Sequence, residues 1–289
     1  MHLEDLEYYA PVTLREAHEL LRDAGDDAMV IAGGTSLLVD LKQGLVKTRK
    51  LISLDKLEAL KSIRKQDRGV WIGALVTPTR LLESKMLKQQ IPGLFDAGTN
   101  MAGVQIRNIA TLGGNLCGAV PCADFAPPLL SVDAEVVLTS LDGERTVPLS
   151  RFFKGPRMTV VRKDEIMTGI FIPELPPHTG TAYEKFKLRG ASAIAVVGAA
   201  ARLTLDGKKI IDVRVAVGAA APTPILIKKI SEFLKGKELT QENLKAAGVF
   251  ASQKVRPITD VRGSKEYRRD LAGVLTERAL QRAFDRAQQ

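Results

Sequence analysis

Cysteine is the scarcest chemistry-bearing residue here: Cys117 and Cys122 are the two in a chain of 289 residues. Two thiolates cannot build a disulfide framework, a structural zinc site or an iron–sulfur cluster. Any metal chemistry in which the protein takes part therefore belongs to another chain. Histidine is almost as rare, and His2, His18 and His178 lie far apart in unrelated contexts. A His-based metal site or a serine triad has no support, and His18, inside a predicted helix, reads as surface decoration. No apolar run approaches the roughly 18 residues that a membrane span requires, which argues against membrane insertion. The N-terminus carries acids early and has neither a basic start nor an apolar stretch, so it does not read as a secretory signal and the expected compartment is the cytoplasm. Neither Gly-x-Gly-x-x-Gly nor Gly-x4-Gly-Lys-Ser/Thr occurs, which removes the usual dinucleotide fingerprint and the P-loop.

What the chain does have is positive charge. Forty-two Lys and Arg against 33 Asp and Glu give 42 − 33 = +9, favouring anionic partners such as phosphates, nucleic acid or an acidic protein surface. The basic residues are spread in pairs and triplets such as Lys47/Arg49/Lys50 and Arg268/Arg269. Aromatics supply 5% of the chain and do not interleave with them, whereas a nucleic-acid binder concentrates its basic residues or adds stacking rings. No nucleic-acid partner is expected.

At about twice the ~150-residue domain prior, the length predicts more than one folding unit. Thr13 with Glu16 three residues on predicts a helix N-terminus, with Leu14, Ala17 and Leu21 on one face and Gly25 ending it. Ala28 to Ile31 reads as a strand, Gly33 to Ser36 as a turn and Leu37 to Lys42 as a helix. Further strands are expected at Leu51–Leu54 and Val70–Leu75, with Thr77-Pro78 opening a helix and another helical stretch running to about Met101. Ala134 to Leu149 predicts a hairpin across Asp142-Gly143, and Ile166 to Ile172 a closing strand. Pro173, Pro176, Pro177 and Gly180 mark the best domain boundary. Beyond it, Tyr183–Leu188, Ala193–Leu205 and Ile210–Gly218 predict an antiparallel sheet of three, covered by helical segments at 225–234, 241–251 and 267–287.

Two short segments share one form: Ala32-Gly33-Gly34-Thr35-Ser36 and Thr111-Leu112-Gly113-Gly114-Asn115. Consecutive glycines adopt backbone conformations closed to other residues and bring N–H groups together as an anion-binding nest, to which Thr and Ser hydroxyls add donors. Either pair alone reads equally as a tight turn. Two such loops in one unit of a basic chain suit a pyrophosphate.

The stretch Ile106-Arg107-Asn108-Ile109-Ala110-Thr111-Leu112-Gly113-Gly114-Asn115, running on to Pro121, Asp124 and Pro127, resembles the second FAD-binding stretch of the molybdenum hydroxylase flavoproteins. These are the medium subunits of carbon monoxide dehydrogenase and of xanthine dehydrogenase-like enzymes. Ile31 to Leu38 is similar to their first stretch, and Val217-Gly218-Ala219 with Pro222-Thr223-Pro224, then Asp260 to Ser264 with Tyr267-Arg268, to their C-terminal unit. The likeness runs in order along nearly the whole chain. It implies an α+β protein: a two-lobed FAD-binding domain of the kind shared with vanillyl-alcohol oxidase, then a C-terminal three-stranded antiparallel sheet with helices. The expected bounds are 1–55 and 56–175 for the lobes and 176–289 for the last unit.

The resemblance also implies site residues. The FAD diphosphate is expected against Ile31, Ala32, Gly33, Gly34, Thr35, Ser36, Leu37 and Leu38, and against Thr111, Gly113, Gly114 and Asn115. Asp124 matches an acid that helps hold the flavin nucleotide, Met101 an apolar contact, Ile166 and Met167 an apolar wall, and Lys187 a basic contact near the flavin ring. Read from the residues alone, Asp124 also suits a helix cap, Lys187 a surface, and the three apolar residues a core. Ser36 stands where relatives often carry an acid. Cys117 takes a usually apolar position and reads as a buried small hydrophobe. The implied role is electron relay, from an iron–sulfur small subunit bearing 2Fe-2S clusters, beside a molybdopterin large subunit, to a soluble acceptor that is NAD, ferredoxin, quinone or another. The alternative is a stand-alone FAD-dependent oxidoreductase of the same wider fold, which would need its own substrate pocket.

Overall fold

A computed structural model describes residues 6–190 and 192–289. The first 53 residues carry a small parallel sheet, β1 (Glu7–Tyr9), β2 (Ala28–Ile31) and β3 (Lys50–Ser53), in the order β1-β3-β2. Parallel neighbours need crossovers, which α1 (Leu14–Ala24) and α2 (Leu37–Lys42) supply. Thr13 caps α1 by accepting from the Glu16 N–H at 3.1 Å, while the Glu16 carboxylate accepts from Val12 rather than from Thr13.

Next comes an antiparallel sheet, with β4 (Ile63–Gln66), β5 (Gly69–Gly73), β6 (Glu135–Ser140), β7 (Gly143–Pro148) and β10 (Ile166–Pro173) in the order β4-β5-β10-β6-β7. The expected hairpin is β6 and β7, with Glu135 opposite Pro148 and Ser140 opposite Gly143. Between β5 and β6 run six short helices: α3 (Pro78–Glu83), α4 (Lys85–Gln90), α5 (Pro92–Asn100), α6 (Val104–Ile109), α7 (Leu112–Cys117) and α8 (Ala126–Ser131). A two-stranded ribbon, β8 (Phe153–Gly155) and β9 (Met158–Thr159), precedes β10. The two N-terminal sheets share a core. Ala17, Leu21, Ile52 and Leu54 of the first pack with Leu57, Leu60, Leu75 and Ile166 of the second.

The C-terminal unit is an antiparallel sheet of four strands, not three: β11 (Thr179–Phe186), β12 (Val197–Asp206), β13 (Lys209–Gly218) and β14 (Ile225–Leu226). The last strand is two residues long and takes the start of the segment expected to be helical, because Ile225 and Leu226 find backbone partners in Val217 and Ala216. Helices α9 (Lys228–Leu234), α10 (Gln241–Lys254) and α11 (Lys265–Ala287) cover one face. Strand β12 is buried on both faces, which explains its small residues. Ala199, Ala201, Leu203 and Leu205 join the core under the helices, and Ala200 joins the core of the second sheet.

Within the C-terminal unit, Gly180 of β11 lets α11 approach so tightly that a β-carbon there would lie 1.9 Å from the Ala283 carbonyl oxygen. Contact with the N-terminal part is polar. Asp96 of α5, 7% exposed, accepts from the Tyr183 N–H of β11 and pairs with Arg282 and Arg286 of α11. His18 departs from its sequence reading. It is 4% exposed, and its Nε2 meets Thr139 Oγ1 of β6 at 3.0 Å, joining the first sheet's helix to the second sheet.

Candidate flavin-binding site

The two glycine segments meet in space. Gly33 lies against the backbone of Ile109 and Ala110, two residues before the second segment, closely enough that no side chain fits between them. They differ in conformation and in what their backbones leave open. Gly34 adopts φ +67°, a left-handed conformation that suits glycine. The N–H groups of Gly33, Gly34, Thr35, Ser36 and Leu37 meet no acceptor among the described residues, and they lead into the start of α2. A run of unpaired N–H groups is a donor set suited to a diphosphate, so this loop fits the phosphates of FAD.

The second segment is helical rather than a turn. Thr111 caps α7 by accepting from Gly114 at 3.0 Å. The Leu112 and Gly113 N–H groups donate to Val76 and Ala74, and that of Asn115 to Thr111. Gly113 is small because a β-carbon would stand 2.7 Å from the Ala74 side chain. The Asn115 side-chain oxygen accepts from the Phe125 N–H at 3.4 Å, leaving its amide NH2 free to donate. An ion pair ties α2 to the opposite wall: Arg157, at φ +58° between β8 and β9, reaches Asp40 through both guanidinium nitrogens and donates its own N–H to the Ala119 carbonyl.

The other sequence-derived residues fall in three places. Asp124 is buried and does not cap α8. Its Oδ1 accepts from the Tyr183 hydroxyl at 3.0 Å and its Oδ2 from the Lys185 ammonium at 2.9 Å. Burial pushes its carboxyl pKa up, opposed first by Lys185. Burial and the adjacent carboxylate hold the Tyr183 hydroxyl well above its usual range. Lys187 is half-buried and bonds Asn100 Oδ1 at 3.2 Å. Met101, also half-buried, packs on the core of the second sheet beside Asn100. Ile166 and Met167 are 2% and 5% exposed, Ile166 in the core shared by the first two sheets and Met167 in the core of the second. Cys117 is exposed rather than buried, and Cys122 is half-buried. No group of three or more His, Cys, Asp or Glu among the described residues is placed to hold a metal. No helix there is long and apolar enough to cross a membrane.

Reading the sequence missed Tyr183, Lys185, Asn100 and Arg157. One signal was present: Tyr183, Lys185 and Lys187 recur at the period of two that puts residues on one face of a strand.

Residues 4–175 match the family described as the FAD binding domain in molybdopterin dehydrogenase, and residues 181–283 the CO dehydrogenase flavoprotein C-terminal domain. The xanthine dehydrogenase FAD-binding subunit of Escherichia coli O157:H7 is 34% identical over 278 residues, 96% of this chain and 95% of that protein. The carbon monoxide dehydrogenase medium chain of Hydrogenophaga pseudoflava is 34% identical over 280 residues, 97% of each chain. Among solved structures, carbon monoxide dehydrogenase from the same organism, lacking the Mo-pyranopterin moiety of its cofactor, superposes with a TM-score of 0.95 at 34% identity over 99% of both chains. Quinoline 2-oxidoreductase of Pseudomonas putida 86 gives 0.93 at 29% identity, over 100% of both. With likeness this even across both domains, the chain belongs to the FAD-binding medium subunits of the xanthine dehydrogenase/carbon monoxide dehydrogenase molybdenum hydroxylases.

Proposed function

We propose that this chain holds one FAD non-covalently and relays electrons from a separate iron–sulfur subunit, fed by a molybdopterin subunit, to a soluble acceptor. The observation that carries the reading is the row of unpaired N–H groups from Gly33 to Leu37. Flavin supplies the chemistry the complex needs, because it takes up two electrons and releases them singly or as a pair.

The protein's own residues bind and orient. The Gly33–Leu37 donors, with the Thr35 and Ser36 hydroxyls, hold the diphosphate, flanked by Ile31, Ala32 and Leu38. The second segment contributes mainly shape: Thr111 and Gly113 set the helix under the site, Gly114 leaves its surface bare, and Asn115 offers an amide donor. Asp124, Met101 and Lys187 line the flavin end, while Ile166 and Met167, at the start of β10, pack in the cores beneath it. Two free cysteines leave the clusters to partner subunits, so the chain works inside a hetero-oligomer.

Reconstitution of the purified chain with FAD tests the binding reading. The expected result is one retained flavin per chain, lost in Gly34→Val and in Gly114→Val. No uptake by the wild type, or full occupancy in both variants, overturns it. For the relay, the chain should purify from its native source with iron- and molybdenum-bearing polypeptides, and substrate should reduce its flavin only in their presence. Substrate turnover by the chain alone would favour a stand-alone oxidoreductase.

A further inference from the structure

Strand β11 divides its side chains cleanly. Ala182, Glu184 and Phe186 face α11, where Glu184 pairs with Arg282 and Phe186 stacks edge-on against Tyr267. Tyr183, Lys185 and, just past the strand, Lys187 face the FAD-binding domain. There they meet two residues distant in sequence, Asn100 and Asp124. The Lys185 side chain is 0% exposed and divides its donors between Asp124 Oδ2 at 2.9 Å and the Asn100 carbonyl at 3.1 Å. The Asn100 side chain serves Lys187 instead.

The charges in this group do not cancel. Two ammonium groups face one carboxylate, and that carboxylate is already held on both oxygens by Tyr183 and Lys185. Lys187 makes no ion pair among the described residues, although it lies near enough to Asp124 to draw that carboxyl's pKa downward. A fully buried lysine is costly unless its partner is fixed. Here the fixed partner has a second consequence: both oxygens of Asp124 are occupied, and neither bonds Lys187.

We propose that Lys185 is a positioning residue that compensates Asp124, keeping the Lys187 ammonium free of any carboxylate so that its charge favours the reduced, anionic form of the bound flavin. The proposal rests on the reading that FAD lies against Lys187. Without Lys185, Asp124 would be a buried anion whose nearest cation is Lys187, and the surplus charge at the flavin would fall from one to zero. Without Asp124, it would rise to two. Without both, it would return to one. The arithmetic therefore predicts effects of opposite sign and a cancellation, which loss of packing alone does not produce.

The test is the two-electron midpoint potential of FAD bound to the full chain, in Lys185→Met, Asp124→Asn and the double variant. Lys185→Met should shift the reduced-to-oxidised ratio at a given potential at least tenfold toward oxidised, a fall of about 30 mV for a two-electron couple. Asp124→Asn should shift it the other way, and the double variant should sit at the wild-type potential. An unchanged potential in Lys185→Met, or a double variant displaced as far as the Lys185 single, overturns the proposal. Should Lys185→Met fail to retain flavin, Asp124→Asn against the double variant decides by the same rule. Wild-type chain that takes up no FAD refutes the cofactor reading and this proposal with it. Wild-type chain that binds FAD, with a potential that Lys187→Met leaves unmoved, refutes this proposal alone.

Discussion

The carbonyl oxygen of Ile109 stands where Gly33 would carry a side chain: a β-carbon on Gly33 falls 1.7 Å from that oxygen and 3.1 Å from the Ala110 α-carbon. This apposition holds the phosphate-ready loop against the helical segment, so the loop's shape depends on a contact made elsewhere. Gly33→Ala must push backbone from backbone. It should cost at least the 1–3 kcal/mol typical of overpacking and abolish FAD retention. Gly34→Ala meets only the side chains of Leu38 and Ile31, at 3.1 and 3.2 Å, and pays chiefly for its φ of +67°, about 1 kcal/mol. It should retain FAD with weakened affinity. Flavin titration and urea unfolding of the two variants check the order, and equal losses would show that backbone conformation, not the Ile109 contact, sets the loop.

Much of this architecture was legible because the signals were local. Thr13, Thr77-Pro78 and the Asp142-Gly143 hairpin act on their immediate neighbours, and each element formed where its signal stood. The glycine segments were legible too, but not their difference: Gly113 and Gly114 could be assigned to a helix only once the approach of Ala74 was known. His18 shares one helical face with Leu14 and Leu21, at i, i+4 and i+7, but its polarity suits a solvated face equally well, and its partner Thr139 is distant in sequence. Lys185 was out of reach for another reason. Its partners lie 61 and 85 positions away in sequence, and an alternating Tyr-Lys-Lys stripe shows its purpose only when the opposing surface is in place.

His18 makes the join between the first two sheets sensitive to acid. Burial lowers its pKa, partly opposed by the Asp164 backbone, and Nδ1 has no hydrogen-bond partner. The unfolded imidazole titrates near 6.5 and the folded one below that. As pH falls through about 6.5, the unfolded chain takes up a proton that the native chain resists, so this stabilisation, complete above that pH, declines below it. His18→Gln should cost about 1 kcal/mol at pH 8 by disturbing the Thr139 bond and distinctly less at pH 5. Urea unfolding of both proteins at the two pH values measures the difference, and a constant gap would rule out the histidine as its source.

Asp260 works in the opposite sense. It anchors the loop before α11 by accepting from the Arg262 N–H at 2.8 Å and from the Arg262 and Arg268 guanidinium groups, of which Arg268 is 3% exposed. Those partners, Arg262 first, hold its carboxyl far below the usual range. Its contribution is complete above the unfolded value near 3.9 and is lost as pH falls below it. Asp260→Asn leaves a buried guanidinium without its counter-charge, a loss of about 3 kcal/mol at pH 7. The gap to wild type should begin to narrow as pH falls through about 4 and keep narrowing toward the depressed native value, by no more than about 1.4 kcal/mol per pH unit, and hydrogen exchange at 256–264 should quicken in the variant at neutral pH. Exchange as slow as in the wild type would mean that the loop is held by its apolar contacts.

Tyr183 reaches Asp124 only because β12 carries glycine at position 198. A β-carbon there would stand 2.3 Å from the tyrosine hydroxyl and 2.9 Å from two ring carbons. Gly198→Ala should therefore drive the hydroxyl off Asp124, leaving one oxygen of a buried carboxylate unmatched, at about 2–3 kcal/mol. Tyr183→Phe loses the same bond without the clash. Once the hydroxyl is gone, the worst contact of the added methyl group is gone with it, so the two changes overlap. Combined in one chain they should destabilise by distinctly less than their sum, a coupling of roughly 1 kcal/mol or more. A double-mutant cycle from urea unfolding reads that coupling directly, and strict additivity would place the need for glycine in the β12 backbone instead of in the space taken by Tyr183.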